Sequence, residues 1–262
     1  MPELPEVESQ LNYLRATALG RTIEKVVVFE PRIIKSSGSA TFRKYLAGQR
    51  LVSAARRGKY LIVDTDGGRV LVLHFGMGGD LHYYRDLEQR PRFTRIEFIL
   101  DNGYRLAFTC PRNICRAMSV RTASDVPGLR QMGPEPLCEA FTLSIFRSLI
   151  ASGASRAIKA LLMDQTRIAG IGNIYADQIL FEAGIRPIRR TADLDDTEVR
   201  RLYRSIRRVL KKALPTANEE ALPGHYIYAR DERGLGCPSC DQPFEKTRVG
   251  GRTTRYCGLC QR

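Results

Sequence analysis

Four cysteines near the end of the chain, Cys237-x2-Cys240-x16-Cys257-x2-Cys260, restrict what this sequence can fold into more than any other feature. Thiols at that spacing close a tetrahedral zinc site with no open coordination position, so one structural Zn2+ is expected there. The metal would hold together a small ribbon whose apolar core is too thin to stand alone. Between the pairs, Lys246-Thr247-Arg248-Val249-Gly250-Gly251-Arg252 reads as a hairpin with a basic tip, suited to gripping phosphates. A ribbon used only for protein contacts is the plainer alternative. The other cysteines, Cys110, Cys115 and Cys138, are scattered and are expected to be buried small hydrophobes with no chemistry.

The charge balance points the same way as the basic tip. Lys and Arg outnumber Asp and Glu by 42 to 28, a formal net charge of +14 spread over both halves of 262 residues. A polyanionic partner is the leading expectation, ahead of an anionic membrane surface or a role in solubility. No apolar run approaches the roughly 20 residues that span a bilayer, and the acidic start lacks the features of a signal peptide. A cytosolic protein without membrane association is expected. The length favours two domains over one core.

In chain order, Val7, Leu11, Leu14 and Ala18 recur at helical spacing, with Gly20 as a stop. Strands are predicted over residues 22–29, 51–56, 60–65, 69–75, 94–100, 104–109 and 115–120. Hairpin turns are expected at Asp66-Gly67-Gly68 and Asn102-Gly103. So many short strands imply a β-sandwich or barrel. Proline and glycine cluster between Thr122 and Pro136, marking a boundary. Beyond it the period is helical over 143–151, 154–163, 174–183 and 195–213. The chain is therefore α+β with two domains. Gly170-Ile171-Gly172-Asn173 would turn tightly and aim helix-start N–H groups outward, as a phosphate site or as an ordinary connection.

The first residues carry the sharpest chemistry. Once Met1 is removed, Pro2 is a secondary amine with a pKa of about 8, unprotonated often enough to attack a sugar carbon and form an iminium. Glu3 and Glu6 place carboxylates beside it for proton transfer, although acidic residues also favour a first helical turn. Arg56-Arg57-Gly58-Lys59 fits a solvated run or a phosphate clamp. His74-Phe75-Gly76-Met77-Gly78-Gly79 ends a strand with an imidazole and a long apolar side chain, either structural or able to wedge between base steps.

Together, Met1-Pro2-Glu3-Leu4-Pro5-Glu6-Val7-Glu8, Gly58-Lys59-Tyr60-Leu61, His74-Phe75-Gly76-Met77, Gly170-Ile171-Gly172-Asn173-Ile174-Tyr175-Ala176-Asp177 and the zinc ribbon resemble the formamidopyrimidine-DNA glycosylase and endonuclease VIII family along essentially the whole chain. The resemblance implies an N-terminal β-sandwich with an N-terminal helix (1–125), a helix–two-turns–helix module (126–222) and a zinc ribbon (223–262). It also implies a monomer of the bacterial cytosol and nucleoid, acting in base excision repair on double-stranded DNA with a damaged base or abasic site. Pro2 would attack C1′ of a flipped-out nucleotide. Glu3 would be general acid and proton shuttle, Glu6 would support the site, and the Schiff base would cleave the strand by β- and δ-elimination. Lys59, Asn173 and Arg252 match phosphate-binding positions, and with His74 would pin the backbone.

Met77 and Arg112 match two of the three side chains that fill the hole left by the extruded base. The third is Ile114, where formamidopyrimidine-DNA glycosylases typically carry phenylalanine, and isoleucine stacks poorly. Cys110-Pro111-Arg112 replaces the more usual Asp-Pro-Arg. The segment between Lys212 and His225 is shorter than the loop that caps oxidised guanine, so 8-oxoguanine is not expected as the main lesion. Two competing readings are a non-catalytic lesion-binding protein of the same fold and a zinc-ribbon assembly module, the latter leaving the amino terminus unexplained.

Overall fold

The computed structural model describes residues 2–217 and 222–262. Contacts divide the chain into two compact units, one holding Pro2 and Glu6–Gln131, the other Glu3–Pro5 and Met132–Arg262. The division puts the ribbon in the same unit as the helices. Among the described residues no helix is long and apolar enough to cross a membrane.

The first unit is a sandwich of two antiparallel four-stranded sheets. One has the order β1 (Ile23–Val28), β6 (Thr94–Leu100), β7 (Arg105–Thr109) and β5 (Asp80–Tyr84). The other has the order β2 (Leu51–Arg57), β3 (Tyr60–Thr65), β4 (Val70–His74) and β8 (Arg116–Val120). Alternating Leu61, Val63, Leu71 and Leu73 from one sheet pack with Ile96, Phe98, Leu106 and Phe108 from the other in a single core. Period-2 burial is what such alternation predicts. Helix α1 (Leu4–Thr17) adds Val7, Leu11 and Leu14 to that core, and α2 (Ser39–Leu46) adds Phe42 and Leu46. Both predicted hairpins form, β3 with β4 and β6 with β7. Strand β5 and helix α2 of this sandwich escaped the sequence reading: β5 follows a glycine-rich loop and has one aliphatic residue, Leu81, and α2 has only two buried apolar anchors in a basic stretch.

The first unit ends with the short α3 (Pro127–Arg130), and in the second unit α4 (Leu143–Ser152), α5 (Ile158–Met163), α6 (Asn173–Ala183) and α7 (Asp196–Ala213) surround a second core. The expected start of α5 at residue 154 is displaced because Ala157 pairs with Arg190 as a bridge, leaving Ile158 as the first helical residue. Helix α7 is the most regular: Asp195 and Glu198 form a reciprocal capping box at its start, and Lys211 and Lys212 sit in its last turn, where the helix dipole favours cations. A further helix, α8 (Ile227–Glu232), lies in the Pro- and Gly-rich stretch before the cysteines, and β9 (Glu245–Val249) pairs with β10 (Arg252–Tyr256) between them. The short segment from Lys212 to His225 includes residues 218–221, which lie outside the described residues, as does Met1.

Candidate functional site

Leu4 is wholly buried in the second unit's core, and Glu3 beside it is 2% exposed. The Leu4 amide donates to the Gly170 carbonyl at 3.0 Å. Gly170 takes φ +83°, and a Cβ there would stand 2.7 Å from Leu4 Cβ, so the close approach requires glycine. The Glu3 carboxylate accepts from the Gly172 amide at 2.5 Å and from the Ile174 amide at 3.0 Å. It therefore caps the start of α6, where two backbone donors and the helix dipole favour a negative charge. The outward phosphate site considered for this turn is modified accordingly: two of its N–H groups are taken by Glu3. Pro2 is peptide-linked to this clamped residue, and Glu6 sits in the first turn of α1.

Asn173, the first residue of α6, donates through Nδ2 to the Thr253 carbonyl at 3.1 Å, which brings it beside exposed Arg252 at the start of β10. Gly250 and Gly251, both with positive φ (57° and 73°), make the tight turn that presents Arg252. Beneath this hairpin lies a wholly buried ion pair, Lys159 Nζ to Asp177 Oδ1 at 2.6 Å. Lys159 also donates to Thr254 Oγ1 at 2.6 Å, and Asp177 Oδ2 accepts from the Arg255 amide at 3.1 Å. The sequence reading gave neither residue a role. A lysine set in the apolar run Ile158-Lys159-Ala160-Leu161-Leu162 is the signal that would have found it.

The four cysteine Sγ atoms lie within 4.8 Å of one another, with Cys237 and Cys260 at 3.8 Å and Cys240 and Cys257 at 3.5 Å. A tetrahedron of thiolates about 2.3 Å from a zinc ion spaces its sulfurs by about 3.8 Å, so the donor set fits the metal. The Cys257 amide donates to Gln261 Oε1 at 2.8 Å, and Gln261 Nε2 reaches the Ile185 carbonyl at 2.8 Å, tying the knuckle to the residues after α6.

In the first unit, Lys59 is 6% exposed in the turn between β2 and β3, and Tyr60 stands opposite His74 across β3 and β4, their rings 4.7 Å apart. Burial, with Arg116 and Lys59 nearby, pushes the His74 imidazole down to about 4. It is neutral at physiological pH, its Nδ1 accepting from the Gly76 amide at 3.3 Å. Arg56 belongs to the scaffold, with Nε on Glu8 at 2.6 Å and Nη1 on the Gly58 carbonyl at 3.0 Å.

Met77 and Arg112 meet at 3.5 Å, Sδ to Nη1. Ile114 is 44% exposed, and its backbone packs so closely on Gly76 (φ +53°) that a Cβ there would lie 2.8 Å from the Ile114 carbonyl carbon. The three void-filling candidates thus stand on two interlocked loops. The expectation for the three scattered cysteines is corrected here. Cys138 is exposed, and Cys110 and Cys115 are buried but joined in a disulfide. Five residues of separation across a strand-end loop allow this geometry, with Cα atoms 6.1 Å apart.

Comparison with known proteins adds to this geometry. A family model described as the formamidopyrimidine-DNA glycosylase N-terminal domain matches residues 1–117, and one described as the H2TH domain of the same enzymes matches residues 132–221. The chain is 40% identical over 279 residues to the formamidopyrimidine-DNA glycosylase of Thermus thermophilus, covering 100% of this chain and 98% of that protein. Among solved structures, it is similar to the Lactococcus lactis enzyme bound non-covalently to DNA containing an abasic site, with a TM-score of 0.89 and 28% identity over 99% of both chains. The MutM (Fpg) protein of Thermus thermophilus aligns with a TM-score of 0.82 and 36% identity, over 99% of this chain and 98% of that one.

Proposed function

The chain belongs to the formamidopyrimidine-DNA glycosylase family, whose members are DNA glycosylases of DNA repair, and from that premise we propose that it is a bifunctional glycosylase and abasic-site lyase working through Pro2. The observation that carries the reading is the clamped carboxylate of Glu3. Two amides of the α6 start hold it in one orientation, so the residue bonded to Pro2 has a fixed place from which to move a proton.

With Met1 removed, the Pro2 nitrogen attacks C1′ of a flipped-out nucleotide in double-stranded DNA. The C1′–N bond breaks, the base leaves with a proton supplied through Glu3, and the sugar opens to an iminium on Pro2. Glu6 supports the proton transfers. Loss of a C2′ proton expels the 3′ phosphate (β-elimination), and a second elimination expels the 5′ phosphate, leaving a one-nucleotide gap. Buried Lys59 supplies positive charge for a phosphate, and neutral His74 offers its Nε2–H. Asn173, whose Nδ2 has a second hydrogen beyond the one given to Thr253, and Arg252 bind a phosphate together. Met77, Arg112 and Ile114 fill the void.

Cys237, Cys240, Cys257 and Cys260 would hold one structural Zn2+, which crosslinks the ribbon and takes no part in the reaction. Residues 1–125 are assigned the catalytic role, 126–222 helical DNA binding and 223–262 the ribbon. The protein acts as a monomer in the bacterial cytosol and nucleoid. Ile114 and the short Lys212–His225 segment argue for a lesion other than 8-oxoguanine. The test is borohydride trapping on a duplex with one abasic site, with mass spectrometry of the adduct. A covalent link on Pro2 is expected. A free Pro2 terminus with no adduct would favour a non-catalytic lesion-binding protein instead.

A further inference from the structure

The disulfide Cys110–Cys115 closes the loop that carries Arg112 and Ile114, and nothing in the glycosylase reading accounts for it. The loop runs from the end of β7 in one sheet to the start of β8 in the other. Both ends are fixed by the same few atoms. The Cys110 amide donates to the Phe93 carbonyl at 3.0 Å, the Cys110 carbonyl accepts from Arg95 Nε at 2.9 Å, and the Cys115 amide points at Cys110 Sγ at 3.2 Å. Cys115 Sγ lies 3.1 Å from the Phe75 carbonyl oxygen, and a Cβ on Gly79 would approach that sulfur to 2.8 Å. The sulfur bridge therefore packs directly against the neighbouring loop that carries Met77.

Two features make the bond conditional. First, each sulfur already has a partner for the reduced state: a Cys115 thiol would find the Phe75 carbonyl as acceptor, and Cys110 Sγ keeps the Cys115 amide as donor. Opening the bridge therefore leaves each sulfur one hydrogen-bond partner, an acceptor for the Cys115 thiol and a donor to Cys110 Sγ. Second, disulfides that form where thiols are kept reduced tend to be transient and redox-sensing.

We infer that Cys110–Cys115 is a redox-operated positioning clasp that, when closed, fixes Arg112 and Ile114 for insertion into the duplex. The inference rests on the proposed void-filling role of those two residues. In the closing step one thiolate attacks hydrogen peroxide, giving a sulfenic acid and, with a proton, one water molecule. The second thiol attacks that sulfur, the S–S bond forms, and a second water leaves. Two thiols lose two electrons and two protons, and peroxide takes up both. Cys110 and Cys115 are positioning residues, since neither touches the reacting atoms.

The experiment compares the full-length protein after mild peroxide treatment and after reduction by a trialkyl phosphine, with metal content measured in both so that changes at the four-cysteine knuckle are detected. Peptide mass mapping reads the bridge. Cleavage of abasic duplexes bearing each of the four opposite bases reads function. On opening, KM should rise about tenfold and preference among opposite bases should flatten, while kcat changes less than about twofold, the scale on which a misplaced positioning group acts. Arg112→Ala should show a smaller redox effect than wild type, because only Ile114 remains on the loop for the clasp to position. C110A/C115A should match the open protein in both treatments, and wild type under reduction gives the same comparison if that variant fails to fold. Failure of the bridge to form under peroxide, identical KM and base preference in both states, or an undiminished redox effect in Arg112→Ala would each overturn the clasp. Cleavage that ignores redox state overturns the clasp alone, whereas no cleavage in either state overturns the void-filling reading with it.

Discussion

Among the described residues each unit of the molecule buries one carboxylate completely, and the pKa values of the two are shifted in opposite directions. Glu97 in β6 and Asp177 in α6 are both 0% exposed. Burial works to raise the pKa of either group. At Glu97, hydrogen bonds from Tyr84, Arg90 (3.0 Å) and Arg105 (2.6 Å) outweigh it and hold the carboxyl below the usual range. At Asp177 burial wins, pushing the carboxyl up to about 6 despite Lys159 and the Arg255 amide. Burial likewise pushes the Lys159 ammonium below its ordinary value. Burial alone therefore does not fix the state of a buried acid. The number of charged donors facing it, and whether they keep contact with water, decides the outcome. Arg90 and Arg105 retain exposed guanidinium surface, whereas Lys159 has none. The sandwich can accommodate its charge with little strain, and the helical unit holds its pair only through a closed set of contacts to β10.

The most severe way to break the contrast is to remove what holds β10. Cys240→Ala should abolish metal retention and release the hairpin carrying Thr254 and Arg255, a loss on the order of the 10 kcal/mol that structural zinc contributes to small metal-folded units. Metal analysis and protease sensitivity of the ribbon would read it. Next in size, Asp177→Asn should cost about 3–5 kcal/mol by leaving Lys159 buried and unpaired, while K159M/D177L should return most of that loss. Equal melting of the single and double variants would remove the distinction drawn between the two carboxylates. Glu97→Gln should cost less, about 1.5–3 kcal/mol, the range for a hydrogen bond to a charged group, because Arg90 and Arg105 can turn to solvent.

The smallest expected effect is in pH dependence, and there the two sites carry opposite signs. Asp177 has a folded pKa above its unfolded value of 3.8, so its stabilising contribution is present below that value and is lost as pH rises towards about 6. Glu97 has a folded pKa below its unfolded value of 4.5, so its contribution is present above that value and is lost as pH falls through the lower folded pKa. Relative to wild type, Asp177→Asn should therefore recover stability between about pH 4 and 6, and Glu97→Gln should flatten the acid limb below about 4.5. Denaturant titrations of the three proteins across that range would check both slopes.

Local pattern carried much of the molecule into the sequence. Seven of the eight sandwich strands were legible because each is a short run rich in apolar residues bounded by turn signals, whereas β5 carries a single aliphatic residue, Leu81, among Asp80, His82 and two tyrosines. The four-cysteine knuckle was legible from spacing, since a tetrahedral donor set demands that the pairs meet wherever the intervening hairpin runs. Helix α7 was legible from its cap and its period. Met77, Arg112 and Ile114 were identifiable by resemblance to a family motif, and the tertiary fold sets two of them 3.5 Å apart.

What required the tertiary structure was every choice of partner between distant residues. Glu3 reads in sequence as a first-turn acid or a proton donor, yet its buried contacts are amides 169 and 171 positions away. Lys159 and Asp177 each look like an ordinary charge on a helix until β10 closes over them. Cys110 and Cys115 look like small apolar fillers until two strands from different sheets bring them together. Periodicity and metal-ligand spacing act over a few residues and leave a mark in the chain, so the sequence by itself determined most of the strands, the main helices and the knuckle. Burial of a polar group is a property of the space around it, and only the packed structure determines which donors share that space.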